Sequence, residues 1–477
     1  MNKTGTVWDV LIITAADEFQ ARIFEEQIHL NEKLFEYFGY YFVQPDAYSG
    51  IGSGLATVDA LNALAKNAGT VTPDLKVLLI HSGGFSSRLP HASPFGKLFA
   101  LMTDGKTVLE HKLETYKNLP KHLPSGIFVA ASDTIETINN IPDEVFADIS
   151  THFVVFGHYS SEEVARNHGV FIPGDKKGSR LTISKILQKP SAEILLQEAA
   201  AQTDGTFITD SCYFMNNEVA TGLMDLVTKA RKTLSNVDIC CYADFMRPIG
   251  VNANDAYVED TTDPILRQWR RLLFDYFNNL TGKETLIVHQ SSKFYHFGTV
   301  SEFLSHITEG GAFWKPKNKN AIHCNIEYGI TIPTNSYIEF SRIYSKCTIG
   351  QHCLISGLDL RNIGAEGFEI PSNCLIICWP LVTGKYVTIY LPTDTDIKKD
   401  FPQGIQWFNL HLSKCRNFYN AQIFPLGDSP KQSLLQAMDY AERGINIGYT
   451  LISLHEAIRQ IDRNRMRKDR FILYSMD

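Results

Sequence analysis

At 477 residues the chain exceeds one ordinary hydrophobic core, so two or three folding units are expected. A hydrophobic content of 44% with 11% aromatic residues excludes a disordered chain. The formal net charge of −7 argues against a general nucleic-acid binder, and the one basic tract, Arg459 to Arg470, reads as a solvated helix face.

In chain order, Trp8 to Thr14 reads as a first strand, and the apolar spacing from Asp17 to Phe38 suits an amphipathic helix. Tyr48 to Leu55 reads as a glycine-containing loop leading into a helix from Thr57 to Asn67. Lys76 to Ile80 is a buried strand that breaks at Gly83-Gly84 into a polar turn. Thr107 to Tyr116 looks helical, and Gly126 to Ala131 forms another short apolar strand ending at Ser132-Asp133. Phe153 to Phe156, Ser179 to Gln188, a helix from Ser191 to Ala201 and a strand from Thr206 to Phe214 continue the alternation. Such alternation implies an α/β layer fold with a mostly parallel sheet, here assigned to residues 1–315.

The pattern changes after Asn320. Ile326, Ile332, Ile338, Ile343, Ile349 and Ile355 recur five or six residues apart, with turn-forming residues between them. A branched apolar residue at every sixth position suggests a left-handed parallel β-helix over 316–400, whereas an antiparallel meander would prefer period two. Thr393 to Lys398 reads as an exposed turn. Residues 401–477 extend the β-helix and carry helices from Lys431 to Arg443, after the Ser429-Pro430 start signal, and from Ser453 to Arg465.

The stretch from Lys76 to Met102 is the most suggestive chemically. Small residues after a strand let backbone N–H groups approach phosphate oxygens, and Arg88 and Lys97 supply two cations to oppose their charge. Asp133, directly after an apolar strand, suits Mg²⁺ against phosphate oxygens and suits a helix N-cap equally well. Lys189 before Pro190 reads as an ordinary surface lysine or, beside a phosphate loop, as a grip for a second phosphate. Asp244 reads as a second metal ligand or an ordinary loop aspartate. His158 and His168 read as pocket walls or donors to substrate hydroxyls. If the reaction is attack of a sugar phosphate on a nucleotide α-phosphorus, no general base is needed, because that nucleophile is already anionic.

Nine cysteines, an odd number with no CxxC pair and no zinc spacing, read as free thiols of a reducing compartment. No apolar run approaches the roughly 18 residues of a membrane span. The N-terminus lacks a signal-peptide profile, so a cytoplasmic location is expected.

With these residues in hand, the chain resembles the GDP-L-fucose pyrophosphorylases, also called fucose-1-phosphate guanylyltransferases. The resemblance is carried by WDVLIITAADE at 8–18, GSGLATVDAL at 52–61, HSGGFSSRLPHASPFGKLF at 81–99 and HGVF at 168–171. It continues through LQKPS at 187–191, TDSCYFM at 209–215, YADF at 242–245 and KFYHFGTVSEFLSHIT at 293–308. It implies a Rossmann-like nucleotidyltransferase domain that transfers GMP from GTP to β-L-fucose 1-phosphate, with Mg²⁺, releasing pyrophosphate. By position, it implies that Arg88 and Lys97 bind the triphosphate and that Lys189 holds the sugar phosphate with His168, Gly169 and Asp210. Asp133 and Asp244 would hold the metal. Gly52, Ser53, Gly54, His81, Ser82, Gly83 and Gly84 would approach the nucleotide. Leu55 departs from the small residue usual in the family and would narrow the nucleotide pocket. A stand-alone transferase is expected, with the β-helix edges offering a route to a homo-oligomer. Mannose or glucose 1-phosphate as substrate, and a non-catalytic regulatory relative, remain open alternatives on the residues alone.

Overall fold

A computed structural model describes residues 7–36, 38–68, 74–146, 152–177, 180–344, 346–361, 367–401, 405–407, 410–412, 416–444 and 448–474. The chain divides into two compact units: Met1–Gly83 with Leu109–Tyr295, and Gly84–Val108 with His296–Asp477. The segment 84–108, which falls inside the span 1–315 read from sequence as one domain, therefore groups with the later residues.

The first unit is built on a nine-stranded sheet. Its strands are β1 (Val10–Ala15), β2 (Tyr40–Pro45), β3 (Lys76–His81), β4 (Gly126–Ala131), β6 (Phe153–Ser160), β7 (Gly169–Lys177), β8 (Arg180–Gln188), β9 (Phe207–Asn216) and β10 (Glu284–Val288), with the short β5 (Thr134–Glu136) outside it. The order is β2-β1-β3-β4-β9-β6-β10-β8-β7. The sheet is mixed, not mostly parallel: among the described residues four pairings are parallel and five antiparallel. The cause is β9, which inserts between β4 and β6 antiparallel to both, and the β7–β8 pair beyond them. A strand covered on both faces is an apolar run whichever way it points, so composition carries no direction.

The long helix expected from Asp17 to Phe38 spans only Glu18–Leu30, capped by the Asp17 side chain accepting from the Gln20 N–H at 2.7 Å. The rest of that stretch leads into β2. The helix Gly52–Ala68 starts five residues earlier than expected, so Gly52 to Leu55 is a first helical turn and not a loop. Helices Asn217–Ala230 and Pro264–Asn278, absent from the sequence reading although Asp263-Pro264 is a start signal for the second, lay Leu223, Val227, Trp269, Leu273 and Phe277 into the core under the sheet.

In the second unit the recurring isoleucines stack on one another in short parallel strands. Ile326 pairs with Ile343, Ile338 with Ile355, Ile355 with Ile376 and Ile349 with Ile370. The first two pairs are 17 residues apart in sequence, so one period of stacking takes three of the spacings read from the chain. Parallel stacking stops at Cys374–Pro380, which runs antiparallel to Tyr386–Pro392. The helix Pro430–Arg443 follows its cap as expected: Ser429 Oγ accepts from Gln432 N–H at 3.2 Å, and Gly444 closes it with a left-handed φ of 67°. The helix expected from Ser453 to Arg465 is two, Leu454–Gln460 and Arg463–Tyr474.

Within this unit the segment 84–108 is tied at several points. Tyr337 Oη donates to Leu101 O at 3.0 Å, Thr103 Oγ1 donates to Ile307 O at 2.8 Å, and Arg463 Nε donates to Pro94 O at 2.8 Å. Arg463 is only 7% exposed, so the basic tract is not simply a solvated face. A chain ending at residue 320 would strip Tyr337 and Arg463 from this segment and uncover Phe303 and Leu101, both buried, the first packed on the Tyr337 ring at 6.0 Å. It is expected in the insoluble fraction on expression; a soluble, monodisperse fragment would refute this dependence.

Candidate active site

Four residues assigned to the sugar phosphate come together in the first unit. Asp210, within β9, accepts from the Gly169 N–H at 2.9 Å, and the Lys189 N–H donates to His168 O at 3.0 Å. A Cβ at Gly169 would lie 2.4 Å from Asp210 Oδ2, so the position tolerates nothing larger than glycine without moving the carboxylate. Lys189 has a left-handed φ of 46° immediately before Pro190, where the backbone ordinarily stays extended, so the turn is strained. Burial raises the Asp210 carboxyl, while His168, the Gly169 N–H and Lys189 oppose that shift. His168 Nδ1 donates to Val164 O at 2.9 Å and meets the Phe294 ring edge-on at 5.0 Å. His158 has a different place. It is fully buried, bonded to Ser211 Oγ and Ser292 Oγ at 2.6 Å each, and burial lowers it to about 4, so it is a core ring and not a pocket wall.

The residues assigned to the nucleotide in this unit gather at the carboxyl ends of β1 and β3. His81 bridges Thr57 Oγ1 at 2.9 Å and Thr14 Oγ1 at 3.3 Å, and burial lowers it to about 4, which makes it a neutral cross-link. Ser82 N–H donates to Thr14 Oγ1 at 3.1 Å. Gly52, Ser53 and Gly54 face the Asp238–Cys241 stretch. A Cβ at Gly52 would sit 2.4 Å from Ile239 O, Gly54 N–H donates to that same oxygen at 2.7 Å, and Ser53 Oγ accepts from Cys241 N–H at 3.0 Å. The glycines thus serve backbone packing. Leu55 is fully buried in the hydrophobic core.

Sequence reasoning missed Asp46, the first residue after β2. A Cβ at Gly83 would lie 3.2 Å from its Oδ2, and burial, followed by the charges of Asp59 and Asp17, raises Asp46 to about 7. Its only signal is a carboxylate after a strand, and no strand is read from the sequence between Phe38 and Tyr48.

Asp133 occupies the turn between β4 and β5, half-buried, so its helix-cap alternative does not apply. Asp244 is 1% exposed, paired with Arg270 at 3.0 Å and Arg247 at 3.5 Å, and accepts from Cys240 N–H at 3.0 Å. A carboxylate committed to two guanidinium groups does not fit a metal ligand. No group of three or more His, Cys, Asp or Glu placed to hold a metal occurs among the described residues.

Arg88, Lys97 and Gly84 belong to the second unit. Gly84 has a left-handed φ of 114°. Arg88 pairs with Asp396 at 3.4 Å, with about half of each side chain exposed, so solvent screens the pair. Lys398 shares the neighbourhood: burial first, then the charges of Arg88 and Lys97, hold its ammonium below the ordinary value. Asp396 and Lys398 lie in the stretch read from sequence as an exposed turn. His91, inside the same motif, is 3% exposed against the Phe303 ring at 4.7 Å, so part of the motif is core packing.

Asp46 makes a pH prediction. A carboxyl raised in the folded state binds its proton there while the unfolded chain has already lost it. Its contribution therefore falls as pH rises from about 4 to about 7. His81 and His158, lowered to about 4, act oppositely, with stability rising over about pH 4 to 6.5. Comparing Asp46→Asn with the native chain isolates the first effect. The variant is expected to gain stability relative to the native chain between pH 5 and pH 8 in urea melts; an equal difference at both values would refute the assignment.

Residues 69–438 match the fucose pyrophosphorylase domain family. The chain is 30% identical to a Mus musculus protein named fucose-1-phosphate guanylyltransferase, over 87% of this chain and 80% of that one. It is 27% identical to the Homo sapiens protein of the same name, over 88% and 78% respectively. Among solved structures, one titled mannose-1-phosphate geranyltransferase, from Thermus thermophilus, aligns at 10% identity and a TM-score of 0.31, over 81% of this chain and 96% of that chain. The match across most of the sequence, through the segments that carry Arg88, Lys97, Lys189 and Asp210, makes this chain a member of the fucose pyrophosphorylase family.

Proposed function

We propose that the protein transfers GMP from GTP to β-L-fucose 1-phosphate. An oxygen of the sugar phosphate attacks the α-phosphorus in line, the bond to the β-phosphate oxygen breaks, and pyrophosphate leaves with the electron pair. The observation that carries this reading is the gathering of His168, Gly169, Lys189 and Asp210 around one turn, together with the family membership. Lys189 holds the sugar phosphate. Buried Asp210 fixes the Gly169 backbone and, through it, the turn that presents His168. Arg88, Lys97 and Lys398 bind the triphosphate and stabilise charge on the departing pyrophosphate. No proton need be removed from the nucleophile, which agrees with neutral, inward-turned His81 and His158.

Mg²⁺ commonly takes one or two carboxylates and completes its shell with substrate phosphates and water. Half-buried Asp133, at the carboxyl end of β4, fits that demand and Asp244 does not. When bound, Mg²⁺ would supply further neutralisation of phosphate charge. The 17-residue stacking of short parallel strands supports reading the isoleucine-rich stretch as coils of a left-handed parallel β-helix.

Pyrophosphate release is the test, run with GTP and UTP against fucose, mannose and glucose 1-phosphates in the presence of Mg²⁺. GTP with fucose 1-phosphate is expected to exceed every other pair, and faster turnover with another sugar would replace the substrate assignment. Arg88→Ala and Lys97→Ala are each expected to lower turnover by about two orders of magnitude, the loss typical of one charge-stabilising donor. Lys398→Ala should cost about tenfold in kcat/KM for GTP, less because its ammonium is less exclusively placed. Native rates in all three variants would remove this cluster from the reaction.

A further inference from the structure

The last helix, Arg463–Tyr474, lines a cavity of about 410 Å³ in the second unit, a size suited to a small metabolite. The charged lining is unbalanced: Arg342, Arg361, Arg465 and Arg470 stand against Asp359 and Asp469. Asp359 is already engaged by Arg361, at 2.5 Å from Nη2, with Arg342 at 4.0 Å. Arg465 lies over the Tyr386 ring at 4.7 Å.

Arg470 is the informative member. Its guanidinium lies over the Phe340 ring at 3.9 Å, and its Nε and Nη2 are buried without a hydrogen-bond partner. Glu339 lies near enough to feel its charge, but Ser356 Oγ donates to that carboxylate at 2.6 Å, and burial raises its pKa. Buried donors without partners are rare and costly, and a guanidinium fork matches a tetrahedral oxyanion better than it matches a single carbonyl.

We propose that this cavity binds a small organic phosphate monoester. The dianionic head meets the arginines, whose excess over the aspartates equals its charge, and the organic body lies against apolar Phe340, Met466 and Leu473. The site shares no residue with the proposed catalytic groups, so it stands or falls separately from the transferase reading.

Calorimetric titration of the full chain with ribose 5-phosphate, and separately with inorganic phosphate, tests it. One site per chain is expected for ribose 5-phosphate, weakened at least tenfold by Arg465→Gln and unchanged by Lys189→Ala. Arg361→Gln, whose side chain is 55% exposed, repeats the test should Arg465→Gln fail to fold. The proposal is overturned if no binding occurs up to about 10 mM, if the arginine variants that fold bind as the native chain does, or if Lys189→Ala alone abolishes binding. Equal affinity for inorganic phosphate would overturn the organic part of the assignment.

Discussion

Positive charge gathered in excess of negative charge is the constraint on which the second unit's part in the proposed chemistry depends. Arg88, Lys97 and Lys398 crowd one neighbourhood, where Arg88 pairs with the half-exposed carboxylate of Asp396. Like charges so placed repel one another, and the surface pair with Asp396 offsets little of that repulsion. The segment holds its shape because it is fastened elsewhere, at Pro94, Leu101 and Thr103. Anchoring by packing and backbone-directed hydrogen bonds keeps the cations together in spite of their repulsion, which is the condition under which a polyanion gains most from arriving.

The first unit solves a different problem by close approach of backbone. Gly169 lets Asp210 reach a main-chain N–H, and Gly52 and Gly54 let a helix start against Ile239 O. In both places a side chain would collide with a carboxylate or a carbonyl, and Gly52 also holds a left-handed φ of 75°. The turn that follows β8 then inherits its position from a buried acid. Asp210 is costly to bury, and the opposing influence of His168, the Gly169 N–H and Lys189 means that the cost and the groups around it belong to one arrangement.

Much of this was legible in the sequence where one physical signal dominated. Gly126–Ala131 was readable from its apolar run, and Pro430–Arg443 from its cap and proline. The isoleucine spacing correctly announced residues that stack in register. Legibility failed where two signals competed or where partners were distant in the chain. The helical spacing runs to Phe38 and no element is read between there and Tyr48, so both β2 and Asp46 go unseen. Asp244 looked like a metal ligand because its two arginine partners follow it at 247 and 270, and no local pattern ties them together. Asp396 and Lys398 lie about 300 residues from Arg88, with only their polarity on display.

The basic tail shows why composition misleads at a helix. Arg463, Arg467 and Arg470 recur at spacings of four and three, which places them on one helical face. Charge alone assigns that face to solvent. Yet Arg463 donates to Pro94 O, and the guanidinium groups of Arg467 and Arg470 lie over the Phe95 ring at 5.6 and 4.8 Å. Arginine can do this because its flat, weakly hydrated head stacks on aromatic rings while keeping its charge. Phe95 is two residues from Lys97, so the face that looked solvated grips the segment carrying a proposed phosphate-binding cation. Substituting lysine along that face would preserve every charge and lose the stacking, which separates the role of arginine here from that of a merely basic helix.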